Sequence, residues 1–137
     1  MNSRRPVNSD GMQLRVMRTK PNRPITDDEA AVVRAALERC AETPDAQQLL
    51  SSVSSLHVMD GCQCGCPSVD FARDSSVHPR PIADGLGITL NGDRVGVILW
   101  GVSDAITGLE IYDMSASASQ LKLKDLKSII PWKEGAA

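Results

Sequence analysis

The feature that most constrains the fold is an Asn-Gly pair, at positions 91 and 92, that separates two apolar runs. These runs cover residues 88–90 and 94–100, and a third apolar run covers residues 106–112. An Asn-Gly pair favours a tight hairpin turn, because both central positions of that turn require positive φ. The sequence therefore predicts three neighbouring strands in an antiparallel meander.

Two helices are predicted ahead of this meander. Thr26 can cap the first, with the Glu29 side chain bonding back to the cap in a capping box. Apolar residues then recur at steps of three and four, which predicts a helix over about residues 27–41. Thr43 is followed by a proline, and this second start signal predicts a short helix over about residues 44–53.

The remaining segments complete the predicted fold. Residues 56–59 and 69–71 alternate apolar and polar side chains, as half-buried strands do. The prolines and glycine of residues 74–85 predict a loop, and the Asp-Gly-Leu-Gly sequence of residues 84–87 is interpreted as a turn. The fold class that follows is α+β, with two N-terminal helices packed on one face of an antiparallel sheet of four or five strands.

The length of 137 residues fits one domain. We expect a single α+β domain over residues 25–132, a disordered basic arm over residues 1–24 and a disordered tail over residues 133–137. The arm holds six basic residues and one acidic residue, so its charge of +5 leaves −7 on the rest of a chain whose net charge is −2. Because an acidic body repels nucleic acid and anionic lipid, we expect it to bind a basic protein partner and no nucleic acid.

Neither a membrane span nor a secretory signal is visible in the sequence. No apolar run approaches the roughly 20 residues that a transmembrane helix needs, and the N-terminus lacks the apolar region of about 7–15 residues found in signal peptides. We therefore expect a cytoplasmic protein with no membrane partner. In a reducing cytosol, four cysteines are interpreted as thiols or metal ligands before they are interpreted as disulfides.

The most unusual motif is a cysteine-rich turn at the start of a strand, with the sequence Cys62-Gln63-Cys64-Gly65-Cys66. In an extended chain, alternate side chains project to one face, and successive thiols on that face would lie about 6.6 Å apart. This separation is too large for one tetrahedral zinc ion, whose bonds to sulfur are about 2.3 Å long. Only a bend at Gly65 and Pro67 would gather the three thiols.

Three interpretations of this turn stay open. The thiols can be small side chains that fill buried space beside a glycine bend. They can be metal ligands, in which case His78, or His57, would join them as a fourth ligand. Two neighbouring thiols can also form a strained disulfide with a redox role. We expect no cofactor under the first interpretation, and zinc is the ion considered under the second, with Cys62, Cys64, Cys66 and His78 as the candidate ligands.

No catalytic constellation is complete in the sequence. A nucleophilic cysteine would need a histidine base, and the chain offers only His57, within a strand, and His78, in a proline-rich loop. We therefore predict no catalytic residue and do not expect an enzyme. Cys40 lies on the apolar stripe of the first predicted helix and is predicted to be a core residue.

Candidate partner-binding residues lie in the last two strands of the predicted meander. They are two aromatic residues, Trp100 and Tyr112, and two acidic residues, Glu110 and Asp113. Tryptophan is enriched at binding hot spots, and acidic side chains suit a basic partner. The alternative interpretation is that the carboxylates are solvated and the aromatic rings cover the ends of the core.

The turn and the strands that follow it resemble one group of proteins. The run Cys-Gln-Cys-Gly-Cys-Pro-Ser-Val-Asp-Phe at residues 62–71, with the strands at residues 96–99 and 108–112, is similar to small bacterial proteins of uncharacterised function that carry a Cys-x-Cys-Gly-Cys turn. The resemblance covers about residues 25–132, implies a bacterial origin and a single domain, and brings no site residue.

A second likeness concerns size and charge. In both respects the chain is similar to bacterial toxin-immunity proteins, which cover the site of an often basic effector. The function that we expect is therefore a non-enzymatic protein-binding domain. A metal-binding or thiol-redox protein that uses the cysteine-rich turn is the alternative.

Overall fold

The structure is a computed structural model that describes residues 22–62, 64–72, 78–102 and 104–135. Its helices are α1 (Asp27–Cys40), α2 (Ala46–Leu50) and α3 (Trp132–Gly135). Its strands are β1 (Arg23–Pro24), β2 (His57–Val58), β3 (Asp60–Gly61), β4 (Val69–Asp70), β5 (Arg80–Thr89), β6 (Arg94–Val102), β7 (Ala105–Asp113) and β8 (Leu126–Ile130). Short 3-10 turns cover Val53–Ser55, Ala118–Gln120 and Leu123–Asp125.

Six of these strands form one antiparallel sheet in the order β3-β4-β7-β6-β5-β8. Strands β5, β6 and β7 are neighbours in sequence and in space, so the predicted meander is confirmed. Strand β8 returns from late in the chain to pair with the free side of β5. Strands β1 and β2 form a separate two-stranded sheet. Among the residues described, no helix is long and apolar enough to cross a bilayer.

The predicted fold class is wrong, because the protein is mostly sheet. Instead of two helices on four or five strands, the described chain has a six-stranded and a two-stranded sheet, and α1 is its only long helix. The second predicted helix, over residues 44–53, shortens to the five residues of α2. The hydroxyls of Ser51 and Ser52 donate to the carbonyls of Gln48 at 2.6 Å and Leu49 at 2.8 Å, which competes with continuation of the helix.

The sheet is larger than predicted because segments with the composition of loops and turns form strands. The loop predicted over residues 74–85 is wrong from Arg80 onward, where β5 begins, and the turn predicted at residues 84–87 lies within that strand. Strand β8 pairs only with the end of β5, so Pro81 lies where β6 is its one sheet neighbour and a missing N–H costs little. Gly61, which follows the strand predicted over residues 56–59, pairs with Val69.

The hairpin between β5 and β6 forms at the predicted place with a different turn. Gly92 has a φ of 85°, while Asn91 is not among the residues with positive φ. The Gly92 N–H donates to the Thr89 carbonyl at 2.9 Å, and the Thr89 N–H donates to the Asp93 carbonyl at 2.8 Å. This pattern is that of a hairpin loop in which a left-handed glycine follows the turn.

The N-terminus of α1 is held by the predicted capping box and by an additional arginine. The Thr26 hydroxyl accepts from the Glu29 N–H at 3.1 Å, and Glu29 Oε1 accepts from the Thr26 N–H at 2.9 Å. The Arg23 guanidinium donates to both Glu29 oxygens, at 2.9 and 2.8 Å. Burial of Glu29 acts to raise its pKa, but the hydrogen bonds from Arg23 and Thr26 outweigh it and lower the pKa.

The boundaries of the domain shift at both ends. Arg23 and Pro24 form β1, so these two residues of the predicted 1–24 arm belong to the folded part, while residues 1–21 lie outside the described part of the chain. Helix α3 extends through Gly135 into the predicted tail, and residues 136–137 again lie outside the described residues.

The core lies between α1 and one face of the large sheet. Helix α1 packs against β5, β6 and β8 and buries Val33, Leu37 and Cys40. Val97 and Leu99 of β6 face it and are fully buried. The predicted core position of Cys40 is confirmed. The opposite side of the sheet, which carries the alternate residues of the same strands, is called the outer face below.

Candidate metal centre

The cysteines lie on the loop that joins β3 to β4. Asp60 pairs with Asp70 and Gly61 with Val69, and this antiparallel pairing brings the two ends of the loop together. The Cys62 N–H donates to the carbonyl of Ser68 at 3.2 Å, which closes the loop directly beyond the strands. The hairpin therefore fixes where the cysteine-rich segment begins and ends.

Within this loop the chain turns back on itself at Gly65. The φ of Gly65 is 93°, a left-handed conformation that favours glycine, and its N–H donates to the Cys62 carbonyl at 3.4 Å. The chain is therefore not extended at this turn, and the bend at Gly65 gathers the thiols. The three Sγ atoms all lie within 4.8 Å of one another, and the group can hold a metal ion.

Backbone N–H groups of the turn point at two of the sulfurs. The Cys64 N–H donates to Cys62 Sγ at 3.4 Å, and the Cys66 N–H donates to Cys64 Sγ at 3.3 Å. At Cys62 this donor acts to lower the pKa of the thiol, although the other contacts of the group outweigh it. The thiolate is the form that binds metal ions. The turn thus both gathers the sulfurs and directs backbone N–H donors at two of them.

Cys66 is anchored to the large sheet through Ser68. Cys66 Sγ lies 3.3 Å from Ser68 Oγ. That hydroxyl accepts from the Ile111 N–H at 2.8 Å and donates to the Ile111 carbonyl at 3.3 Å. Because Ile111 is buried in β7, the loop is tied to the middle of the sheet. Cys66 is half-buried against the core, whereas Cys62 and Cys64 are exposed.

The pKa values of the thiols are shifted in opposite directions. The hydrogen bond with the Cys64 thiol is the main cause that raises the pKa of Cys62 to about 11. Partial burial acts to raise the pKa of Cys66, but hydrogen bonds with Cys64 and Ser68 outweigh the burial and lower it. Cys66 is therefore the first of this pair to carry a negative charge as the pH rises.

The predicted fourth ligand does not join the group. Among the described residues, the cluster of metal-ligating side chains at this turn contains the three cysteines, and both histidines lie outside it with exposed side chains. His57 Nδ1 lies 3.3 Å from the Ser55 carbonyl. All four cysteines of the chain are free thiols, and the exposure of Cys62 and Cys64 excludes the buried-packing interpretation for these two residues.

Three of the four candidate partner-binding residues share the outer face. Trp100, Glu110 and Tyr112 occupy alternate positions on adjacent strands, and the Trp100 indole N–H donates to Glu110 Oε1 at 2.9 Å. The Tyr112 ring lies across Gly96, which has no side chain in its way. Asp113 is different, because its Oδ1 accepts from the Ala118 N–H at 2.7 Å and so holds the following turn.

Two features of the sites have little signal in the sequence. Ser68 is two positions after Cys66, but its contact with Ile111 joins residues 43 positions apart. Asp84 accepts from the Trp132 indole N–H at 2.8 Å across a separation of 48 positions. Strand alternation indicates which residues of one strand share a face, but placing Asp70 and Trp100 on either side of Gly108 also requires the register of β4, β7 and β6.

No protein-family model, curated protein or solved structure matches this chain. The resemblance to small bacterial proteins with a Cys-x-Cys-Gly-Cys turn stays a prediction.

Proposed function

We propose that this protein binds one soft metal ion, with zinc as the leading candidate, through the thiolates of Cys62, Cys64 and Cys66. The observation that carries the proposal is the gathering of the three Sγ atoms to within 4.8 Å of one another on one closed turn. Thiolate ligands select soft or borderline ions such as Zn²⁺ and Cu⁺ over the oxygen-seeking Mg²⁺ and Ca²⁺.

The distances require only a small closure of the turn. Sulfur atoms at the corners of a zinc tetrahedron with bonds of about 2.3 Å are separated by about 3.8 Å. The sulfurs therefore need to approach one another by at most about 1 Å, a motion within reach of side-chain torsions. Three protein ligands leave a coordination position for water or an incoming ligand, as open zinc sites do.

The position of the turn favours an exchangeable ion over a structural one. Cys62 and Cys64 are exposed, and the buried core consists of apolar side chains from α1 and the large sheet. A structural zinc site replaces a missing core and couples metal binding to folding. Here the core is complete beside the turn, so the proposed role is reversible metal binding at the surface.

Titration of the full chain with Zn²⁺ under reducing conditions tests this function. We expect one equivalent to bind, and we expect Cys62→Ser, Cys64→Ser and Cys66→Ser each to weaken binding by at least about tenfold, because each removes a ligand. Cys40→Ala is the matched control, since it removes the one cysteine outside the turn. A chelator should strip the ion while the cooperative thermal transition persists.

Two results would contradict the proposal. Binding that survives substitution of all three turn cysteines would place the ion elsewhere. Failure of the reduced protein to bind zinc, together with ready oxidation of two turn thiols to a disulfide, would favour the thiol-redox alternative, because sulfurs this close can also pair with one another.

A further inference from the structure

The outer face carries a concentration of carboxylates around one tryptophan. In register across the strands, Asp60 lies opposite Asp70, Asp70 opposite Gly108, and Gly108 opposite Trp100. The next row on the same face contains Asp84 and Glu110, on either side of Ile98. Four acidic side chains therefore project from one side of the sheet, opposite the side covered by α1.

Gly108 forms a notch in this face. A Cβ atom placed on Gly108 would lie 3.3 Å from Asp70 Oδ1 and 3.9 Å from Trp100 Cβ. The aspartate and the tryptophan therefore flank the glycine from the two neighbouring strands, and no side chain of residue 108 stands between them. Glu110 is two residues along the same strand and is held in place by the Trp100 indole N–H.

The carboxylates of the outer face have no cationic partner among the described residues. The ion pairs between described residues, Arg23–Glu29 and Arg39–Glu134, include none of these four carboxylates. Partial burial of Asp70, aided by the negative charge of Asp60, raises the pKa of Asp70. A cation placed beside Asp70 would offset both effects, because it favours the charged carboxylate.

We propose that the outer face binds an arginine-containing segment of another protein, with one guanidinium group seated over Gly108 between Trp100 and Asp70. The guanidinium is planar, pairs with a carboxylate through two parallel hydrogen bonds, and stacks on an indole ring. Lysine has a compact ammonium that cannot make both contacts in this way. The notch therefore discriminates between the two basic residues.

Charge and residue type together identify the occupant as a protein segment. The acidic surface attracts a basic chain and repels nucleic acid and anionic lipid. Tryptophan and arginine are both enriched at binding hot spots, and hot-spot residues tend to pair with those of the partner. This inference is independent of the metal site, since it uses none of the cysteines.

The test uses a synthetic peptide of alternating arginine and glycine, with a lysine version as its counterpart, added to the full-length protein. We expect the arginine peptide to bind at least about fivefold more tightly than the lysine peptide and to weaken with added salt. Asp70→Asn removes the carboxylate charge and Gly108→Ala fills the notch, so each should weaken binding by about tenfold. Asp93→Asn, an equal charge change at the exposed β5–β6 turn, is the matched control.

Thermal melting of each variant separates loss of binding from loss of folding. Equal binding of the arginine and lysine peptides would overturn the proposal, because it would indicate general charge attraction. The same conclusion would follow if Asp93→Asn weakened binding as much as Asp70→Asn. Substitution of the basic residues of segment 1–21 provides a further check. If the arginine peptide bound only after that change, the notch would belong to a segment of this chain, and the proposal of a partner protein would be wrong.

Discussion

At the scale of single residues, the three thiols of the turn differ in their environments. Cys62 is exposed and its pKa is raised to about 11, mainly through its hydrogen bond with Cys64. Cys66 is half-buried, yet its pKa is lowered by hydrogen bonds with Cys64 and Ser68 that outweigh burial. An ion would therefore meet one thiol whose pKa is lowered and one whose pKa is raised, so the two differ in how easily they release a proton.

This difference predicts how zinc affinity depends on pH. The metal binds thiolates, so it must displace a proton from Cys62, whose pKa of about 11 lies above neutral pH. The apparent affinity should therefore rise with pH, by about tenfold per pH unit for each proton released. Zinc titrations at about pH 6, 7 and 8 measure this slope. An affinity that stays constant across this range would show that the ligands are not protonated thiols.

At the scale of elements, glycines set how closely α1 approaches the sheet. A Cβ atom on Gly85 of β5 would lie 2.5 Å from Cys40 Sγ and 3.0 Å from the Ile130 carbonyl oxygen. Both neighbours are held by regular structure, one by α1 and the other by β8, so neither can move freely. Gly61 of β3 has no atom within 4 Å of the same position.

The two glycines form a matched pair for a stability test. We expect Gly85→Ala to destabilise the protein by about 1–3 kcal/mol, because it overpacks the contact between α1 and the sheet. Gly61→Ala meets open space and should change the free energy of unfolding by less than about 1 kcal/mol. Chemical denaturation of both variants measures the difference. Equal effects of the two substitutions would show that α1 does not pack as closely against Gly85 as the contact with Cys40 indicates.

The elements that the sequence predicted correctly are those set by local contacts. The capping box at Thr26 and the hairpin after Thr89 depend on contacts between near neighbours in the chain, and both predictions were confirmed. The first part of β5, from Arg80 to Gly87, was predicted as loop and turn because Pro81 and Gly85 are typical of loops. Pro81 is tolerated because β8 does not pair with that part of β5, and Gly85 leaves room for Cys40 of α1. Both β8 and Cys40 are distant from these residues in the sequence.

At the scale of the whole molecule, the β3–β4 hairpin links the two proposed sites. Its loop carries the three thiols, and its paired strands present Asp60 and Asp70 on the outer face. The sequence identified the cysteines as candidate ligands, but alternation along a strand placed them too far apart. The sequence offered a bend at Gly65 as the way to gather them, but it did not show whether the bend forms or that Ser68 anchors the loop to Ile111. Hairpin register and long-range contacts decide both features.

X-ray absorption spectroscopy of the zinc-loaded full-length protein tests the central claim most directly. The three-thiolate site predicts about three sulfur atoms at about 2.3 Å from each zinc ion, with a lighter atom completing the shell. The sulfur count should fall by about one in Cys64→Ser protein loaded with zinc to saturation. A coordination shell of nitrogen and oxygen alone would contradict the account, because it would place the ion outside the cysteine turn.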